Sequence, residues 1–234
     1  MKPIPTGQVP VPVITVDGPS GVGKGLVTRW LATHLGGWHR LDSGALYRIL
    51  ALAAHKRDLD LHDSAQVAGL APTLDIRFTG ATEEDEAIVV NGHDWTHDVR
   101  KESTGALASL IAVVPEVRAA LLQRQKDFRA APGLIADGRD MGTIVFPDAA
   151  LKIFMDASAD ERAQRRLKQL SAKGIGATLA PLREEIRARD ERDRNRPIAP
   201  LRPADGAEVV DTTGLSPDQV LAKVETLLQR YRIV

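Results

Sequence analysis

The sequence contains no cysteine, which excludes disulfide bonds and catalysis by a thiol. It also has no apolar run that approaches the roughly 20 residues of a membrane-spanning helix. The first twelve residues include four prolines and lack the charged-then-apolar order of a signal peptide. These absences predict a soluble, cytoplasmic protein that does not bind a membrane.

Neither sign of charge dominates the chain. Its 31 Lys and Arg residues equal its 31 Asp and Glu residues, so no overall field favours a nucleic acid polymer as partner. The charges are unevenly distributed, however. Residues 58–102 contain 11 acidic and 3 basic residues, whereas residues 161–196 contain 11 basic and 6 acidic ones. The basic block predicts an anion-binding site near it.

The pattern of apolar runs predicts an α/β fold. The chain has 234 residues, of which 43% are hydrophobic, enough for one principal domain. Apolar runs that end in Asp or Gly alternate with segments of helical period, which is typical of a parallel sheet covered by helices on both faces. Strands are predicted at residues 11–16, 134–137, 151–155 and 208–211, and just before Asp42. Ligands of such sheets bind beyond the carboxyl ends of the strands, so we expect a single cleft there.

Two segments depart from this alternation. At residues 61–96 a short helical stretch precedes two β-like runs, 75–79 and 87–91, joined by Gly80 and acidic residues that include the run 83–86. A small inserted β element is predicted there. The Gly- and Ala-rich residues 174–181 lead into a charged helix at 182–195, and this arrangement predicts a lid. In the final helix, to about Arg232, we expect Ser216 as N-cap and Pro217 at the first position.

A glycine-rich run between the first strand and the helix predicted at 26–35 carries the most specific chemical signal. Its residues are Gly18, Pro19, Ser20, Gly21, Val22, Gly23, Lys24 and Gly25. Glycines let successive backbone N–H groups converge on phosphate oxygens, the helix N-terminus adds positive potential, and Lys24 reaches the outer phosphates. An ordinary glycine-rich turn is the alternative. In this strand–loop–helix context the run indicates a P-loop that cradles the polyphosphate of ATP.

The residue after Lys24 is Gly25, where the general motif has a Ser or Thr that binds magnesium. A phosphate loop that ends in Gly-Lys-Gly is typical of nucleoside monophosphate kinases, which hold Mg²⁺ largely through phosphates, water and an acid at a neighbouring strand end. Asp137 is the candidate for that indirect metal contact, and Asp17 is the alternative.

Polar residues follow two further predicted strands. Ser43 is placed to cap the next helix, with Arg48 more than a turn inside it, although a simple cap and a surface arginine would look the same. Asp137, Arg139 and Asp140 emerge together after a buried strand. Two acids beside an arginine suit contacts to metal, phosphate and a nucleobase.

A third group lies on the charged helix. Arg189, Asp193 and Arg196 are spaced i, i+4, i+7, so that one face presents two guanidinium groups around a carboxylate. A solvated salt-bridge face is the more usual meaning of such a run. A second basic helix that enters the same region favours a site instead; it carries Arg162, Arg165 and Arg166.

Residues 42–48, 135–143 and 189–196, taken with the P-loop, resemble the bacterial type of cytidylate kinase. The resemblance extends from about residue 13 to the final helix. It implies reversible phosphoryl transfer from ATP to CMP or dCMP in pyrimidine nucleotide metabolism, with Mg²⁺ and in a monomer. It also implies one P-loop kinase domain, 1–234, with a core at about 11–60, 97–160 and 205–234, a helical lid at about 161–196, and an NMP-binding insert at about 61–96.

The resemblance also implies roles for individual residues. The CMP phosphate would be held by Arg48 and Arg139. The cytosine would be read by Ser43, Ser109, Arg118 and Asp140. The ribose would be bound by Asp193, beside Arg189 and Arg196, which would contact CMP or the transferring group. The ATP phosphates would be covered from the lid by Arg162 and Arg166. The catalytic set would be Lys24, Arg139, Arg189 and Arg196. Leu26 departs from the family, which often has Thr or Ser there.

Two other functions share the phosphate loop. One is a kinase for a different small acceptor, such as UMP, another nucleotide or shikimate. The other is a non-catalytic nucleotide switch, which would leave the arginines without a purpose; the sequence also has no guanine-reading Asn-Lys-x-Asp run.

Overall fold

A computed structural model of the chain describes residues 10–79, 87–172 and 174–233. The proline-rich start up to residue 9, the predicted connection at Gly80 and the acidic run at 83–86 lie outside the described residues.

The described elements alternate between strands and helices along most of the chain. The strands are β1 (Val13–Asp17), β2 (His39–Asp42), β3 (Ile76–Thr79), β4 (Ala87–Val90), β5 (His93–Asp94), β6 (Leu134–Gly138), β7 (Leu151–Asp156) and β8 (Glu208–Asp211). The helices are α1 (Lys24–His34), α2 (Ser43–His55), α3 (Ser64–Leu70), α4 (Thr96–Arg100), α5 (Glu102–Ile111), α6 (Pro115–Lys126), α7 (Ala159–Ala172), α8 (Leu179–Asn195) and α9 (Pro217–Tyr231). A 3₁₀ turn (Ala71–Thr73) and a π turn (Met141–Val145) complete them.

Five strands form a parallel sheet in the order β2-β6-β1-β7-β8. All five strands that the sequence predicts for the core are present in it. Since the strands are parallel, their carboxyl ends lie along one edge of the sheet, where Asp42 pairs in register with Asp137 and Asp17 with Gly138. The predicted α/β fold is confirmed.

Both faces of this sheet are covered by apolar side chains. Along β1, Val13 faces a cluster that includes residues of α2, α3, α5 and α6, whereas Ile14 and Val16 face a cluster that includes residues of α1 and α9. β6 alternates in the same way, with Leu134 on the first face and Ile135 on the second. Burial on both sides explains why these strands are mostly apolar rather than alternating.

A smaller antiparallel sheet, β3-β4-β5, lies in the segment predicted to contain an inserted β element. Ile76 pairs with Val90, and both side chains join the cluster on the α2 face of the large sheet. The two β-like runs are therefore confirmed as strands. Their description as an NMP-binding insert, and that of α7 and α8 as a lid, stay predictions.

Several helix starts differ from the predicted ones. The prediction of Ser43 as N-cap of α2 is wrong: Asp42 caps the helix, and its Oδ1 accepts a hydrogen bond from the N–H of Ala45 at 2.9 Å. α8 begins at Leu179 rather than at 182, because Pro181 falls in the first turn, where a backbone N–H has no helical partner to lose. The Ser216 N-cap of α9 is confirmed, and Gln219 completes a reciprocal capping box with it.

Within the described ranges no single helix has the length and apolar composition to cross a membrane; one bent pair of segments, Ser103–Ile111 with Pro115–Lys126, meets that test only jointly.

Candidate active site

The glycine-rich loop connects the carboxyl end of β1 to the N-terminus of α1. Gly18, Gly21 and Gly23 all have positive φ angles, of 148°, 80° and 98°. A Cβ atom on Gly18 would lie 2.1 Å from the carbonyl oxygen of Met155 in β7, so no larger residue fits without moving that strand. The glycines thus allow the loop to turn tightly against the sheet and present backbone N–H groups beside the helix N-terminus.

Lys24 lies under this loop with only 8% of its side chain exposed. Its Nζ donates hydrogen bonds to the carbonyl oxygens of Gly18 at 3.0 Å and Pro19 at 2.9 Å, and it lies 3.8 Å from Oδ1 of Asp137. Burial, together with the positive charge of Arg139, lowers the pKa of Lys24 to about 8, and nearby carboxylates oppose that shift. The ammonium group is therefore in a site where charge is costly and a polyanion would be a strong partner.

Asp137 and Asp17 occupy neighbouring strand ends but have different partners. Burial raises the pKa of Asp137 to about 6, and Lys24 opposes that shift. Asp17 accepts the backbone N–H groups of Met141 at 2.9 Å and Gly142 at 2.8 Å; burial outweighs these bonds and raises its pKa to about 7. Asp17 therefore ties the turn after β6 to β1, while Asp137 is the acid that lies beside Lys24.

The predicted lid residue Arg162 is fixed between the phosphate loop and α8. Its side chain is 2% exposed. Nη1 donates to the carbonyl oxygen of Ser20 at 3.2 Å, and Nε donates to that of Ala157 at 3.0 Å. The guanidinium also forms a two-point pair with Asp190, through Nη1 to Oδ1 at 2.9 Å and Nη2 to Oδ2. Through this pair, Asp190 links α8 to Arg162 and the phosphate loop, a role that sequence reasoning missed.

A cavity of about 1030 Å³ lies beside the phosphate loop. Its lining includes Gly138 and Asp137, and Asp137 lies 3.8 Å from Lys24 of the loop. All nine residues that the resemblance implies for CMP line it, although they come from four helices and from the segments after β6 and α8. They are Ser43, Arg48, Ser109, Arg118, Arg139, Asp140, Arg189, Asp193 and Arg196. Residues predicted for ATP, including Arg162 and Arg166, are not part of its lining.

Carboxylates and backbone carbonyls position the arginines of this cavity. Arg139 Nε lies 3.0 Å from Oδ2 of Asp193. Arg118 donates to the carboxylate of Asp140 and, at 3.2 Å, to the carbonyl oxygen of Ala112. Arg48 donates to two carbonyl oxygens, those of Val99 at 2.9 Å and Lys101 at 3.0 Å. The lining therefore contains a wall of arginines, interspersed with an equal number of carboxylates, and several elements set its geometry.

Arg196 follows the end of α8 and is partly buried in this wall. Burial lowers its pKa, against the opposing effect of the Asp140 and Asp193 carboxylates. Nε donates to the carbonyl oxygen of Ala199 at 2.5 Å, whereas Nη2 is buried and has no hydrogen-bond partner among the described residues. An anion that enters the cavity could supply that partner.

The two serines predicted to read cytosine differ in their surroundings. Ser109 Oγ donates to the carbonyl oxygen of Gly105 within its own helix at 3.0 Å. Ser43 Oγ donates to Oε1 of Gln125 at 2.6 Å. Gln125 is a second residue that sequence reasoning missed. The sequence offered one signal: Val117, Leu121 and Gln125 recur every four residues, so a helix places Gln125 on the same face as two apolar residues. The structure buries all three side chains.

Within the described ranges, no group of three or more His, Asp or Glu side chains is arranged to hold a metal ion by itself. Asp137 is the carboxylate that pairs with Lys24, and Gly25 has no side chain to add. This donor set suits a magnesium ion that keeps its water ligands and is held mainly by substrate phosphates, as Mg²⁺ usually is.

Comparisons with known proteins agree on one family. Residues 14–230 match the family model described as cytidylate kinase. A curated cytidylate kinase of Pseudomonas fluorescens is 56% identical over 93% of this chain and 95% of its own. One of Aeromonas salmonicida is 55% identical over 91% of this chain and 92% of its own. A third, of Stutzerimonas stutzeri, is 56% identical over 92% and 94%.

Proposed function

The chain belongs to the cytidylate kinase family, and we propose that it transfers the terminal phosphoryl group of ATP reversibly to CMP or dCMP, giving ADP and CDP or dCDP. The observation that carries this proposal is the juxtaposition of a phosphate loop and a cavity lined by six arginines. Asp137 lies 3.8 Å from Lys24 and also lines the cavity. Donor and acceptor phosphates would therefore meet at the ends of β1 and β6.

The donor is assigned to the loop at residues 18–25. Backbone N–H groups of the loop and the N-terminus of α1 would bind the phosphate oxygens of ATP, and Lys24 would contact the outer phosphates. Its bonds to the carbonyl oxygens of Gly18 and Pro19 would give way to phosphate. Arg162 and Arg166 would complete this site from α7.

The acceptor is assigned to the cavity. Arg48 and Arg139 would hold the phosphate of CMP, and Asp193 would accept hydrogen bonds from the sugar. The base would be read by Ser43, Ser109, Arg118 and Asp140. Cytosine carries an amino donor beside ring acceptors, which a carboxylate and a guanidinium complement.

No general base is needed in this transfer. A nucleoside monophosphate has a second pKa near 6, so its phosphate is already largely dianionic at neutral pH. The protein has to align the two nucleotides and to stabilise the charge that develops on the transferring group. Lys24, Arg139, Arg189 and Arg196 are the proposed catalytic residues because Lys24 belongs to the phosphate loop and the three arginines line the adjoining cavity.

Magnesium is proposed as the cofactor, bound with ATP. Asp137 would hold it indirectly, through water, at the end of β6. When bound, Mg²⁺ neutralises charge on the β- and γ-phosphate oxygens. If ATP is the donor in this form, excess EDTA should abolish transfer and added MgCl₂ should restore it; full activity in EDTA would contradict this proposal.

Water could accept the phosphoryl group in place of CMP, so the site should close over both nucleotides before transfer and exclude water. We therefore keep the segments at about 161–196 and 61–96 as the proposed lid and NMP-binding insert. α8 lines the acceptor cavity and is joined through Asp190 to Arg162 at the phosphate loop, so its position would depend on both sites.

The choice of acceptor can be tested with one panel. Initial rates with ATP and CMP, dCMP, UMP, AMP, GMP or shikimate should be highest for the two cytidine nucleotides. A preference for UMP, a purine nucleotide or shikimate would assign the cavity to another kinase. Tight retention of ATP with no transfer to any acceptor would indicate a nucleotide switch.

A further inference from the structure

The side chain of Gln125 lies behind the acceptor cavity, on α6, and is 2% exposed. Its Oε1 accepts the hydroxyl proton of Ser43 at 2.6 Å, and its Nε2 donates to the carbonyl oxygen of Leu121 at 3.2 Å. Ser43 lines the cavity, but Gln125 is absent from the cavity lining. Any effect of Gln125 on the substrate would therefore act through Ser43.

The orientation of the Gln125 amide is set by its second partner. A carbonyl oxygen such as that of Leu121 can only accept, so the amide must turn its NH₂ group toward it. The opposite orientation would place two acceptor oxygens face to face in a buried site, where an unsatisfied polar group is costly. Oε1 therefore faces Ser43, and it too can only accept.

This arrangement decides what Ser43 can offer to a ligand. A serine hydroxyl has one proton and two lone pairs. Because its proton is engaged by Gln125, only the lone pairs of Ser43 remain for the cavity. Asp140, which also lines the cavity, is engaged by Arg118 on one oxygen, and its ionised carboxylate likewise only accepts. Both groups thus call for a donor on the ligand.

We infer that Gln125 is a positioning residue for substrate choice, which holds Ser43 as a hydrogen-bond acceptor and so favours a pyrimidine with a 4-amino group over one with a 4-oxo group. The inference rests on the proposed function, since it concerns the base of the nucleotide acceptor. Uracil presents a carbonyl where cytosine presents an amino group, so it would leave the lone pairs of Ser43 opposed by another acceptor.

The test is the ratio of kcat/KM for CMP to kcat/KM for UMP. Gln125→Met removes the acceptor while keeping a side chain of similar length, which frees the Ser43 hydroxyl to rotate and to donate to the uracil carbonyl. The ratio should fall about tenfold, as expected when a hydrogen bond to one substrate is lost and a mismatch with the other is relieved. The change should appear chiefly in KM.

A double-mutant cycle separates this role from a general loss of packing. In a Ser43→Ala background, Gln125→Met should leave the ratio where Ser43→Ala alone puts it. Gln123→Met is the matched control: Gln123 is an exposed glutamine on the same helix, bonded to Asp127 at 2.8 Å, and its replacement should leave the wild-type ratio.

The outcomes are distinct. A wild-type enzyme without a preference for CMP would overturn the proposed function. If the wild type prefers CMP and Gln125→Met keeps the same CMP/UMP ratio, the role of Gln125 alone is overturned. The same holds if Gln125→Met lowers the ratio equally in the wild-type and Ser43→Ala backgrounds. If Gln125→Met does not fold, Ser43→Ala decides, because an acceptor serine predicts a narrowed CMP/UMP ratio. A widened ratio would mean that Ser43 donates, an unchanged ratio would mean that it does not discriminate between the bases, and either would refute the inference.

Discussion

Removal of the Asp190 carboxylate should lower the free energy of unfolding by more than the loss of an exposed ion pair would. Arg162 is 2% exposed and Asp190 is 14% exposed. In the Asp190→Ala variant, the Arg162 guanidinium would therefore stay buried without its anionic partner. Breaking a buried pair from one side costs about 3–5 kcal/mol. We expect the lower end, about 3 kcal/mol, because Arg162 keeps its bonds to Ser20 and Ala157 and some water reaches Asp190.

For a chain of this length, 1 kcal/mol corresponds to about 2–4 °C in Tm, so Asp190→Ala should melt about 6–12 °C below the wild type. Differential scanning fluorimetry without nucleotide would measure the shift. A double-mutant cycle with Arg162→Met should show that the two losses are not additive, because both substitutions remove the same pair. If Arg162 also contacts ATP, saturating ATP should raise the Tm of Asp190→Ala more than that of the wild type, since phosphate would replace the missing carboxylate.

Glu184→Ala provides a matched control on the same helix. Glu184 lies 3.4 Å from Arg187, but the two side chains are 73% and 55% exposed, and such pairs contribute little. Its Tm should stay within about 2 °C of the wild type. A loss of less than about 2 °C in Asp190→Ala, or additivity with Arg162→Met, would refute the idea that this pair joins α8 to the phosphate loop.

Three residues of the site carry the remaining predictions. Lys24→Ala should keep the fold but lower turnover by orders of magnitude, because Lys24 stabilises charge that develops during transfer; near-normal kcat would contradict this. Since burial lowers the pKa of Lys24 to about 8, its positive charge is lost as pH rises through that value, so kcat/KM for ATP should fall above about pH 8 and a flat profile would argue otherwise. Asp140→Ala should lower kcat/KM for CMP more than for UMP, and an unchanged ratio would assign Asp140 to structure. Asp193→Ala should weaken CMP and dCMP in calorimetry, with a larger loss for CMP if the contact is to the 2′ oxygen. Unchanged dissociation constants with a lower kcat would refute the sugar contact and indicate that Asp193 only orients Arg139.

The sheet and the phosphate loop could be predicted from sequence because several local signals coincide there. The β1 run is apolar apart from Thr15 and the final Asp17, since both of its faces are covered, and it ends at a loop whose glycines adopt positive φ angles. The order of the strands is a different matter. β6 lies between β1 and β2 although it follows them by more than 90 residues, and this follows from crossover connections rather than from any local pattern.

The prediction of the α2 cap failed for a local reason. Asp and Ser are both favoured N-cap residues and here they are adjacent. Asp42 pairs with Asp137 as the last residue of β2, so its backbone is extended and its side chain turns to the helix N-terminus. Ser43 is thereby released from capping and its hydroxyl is available to Gln125.

Contacts between distant elements account for what sequence reasoning missed. Ser43 and Gln125 are 82 residues apart, and Arg162 and Asp190 are 28 apart. Three acids, at 190, 191 and 193, follow Arg189 within one turn of α8, and only the packing of α8 against α7 selects Asp190 as the partner of Arg162. The gathering of nine predicted residues into one cavity was foreseen through a resemblance of motifs, whereas spacing along the chain could only link residues of one helix.

The most direct test of the proposed kinase activity is the balance of products that purified protein forms from ATP, MgCl₂ and CMP. Chromatographic quantification should show one CDP for each ADP, with ADP formation far slower when CMP is omitted and with both products lost in Lys24→Ala. ADP that accumulates at the same rate with and without CMP, with no CDP formed, would contradict the conclusion that the arginine-lined cavity holds the phosphoryl acceptor.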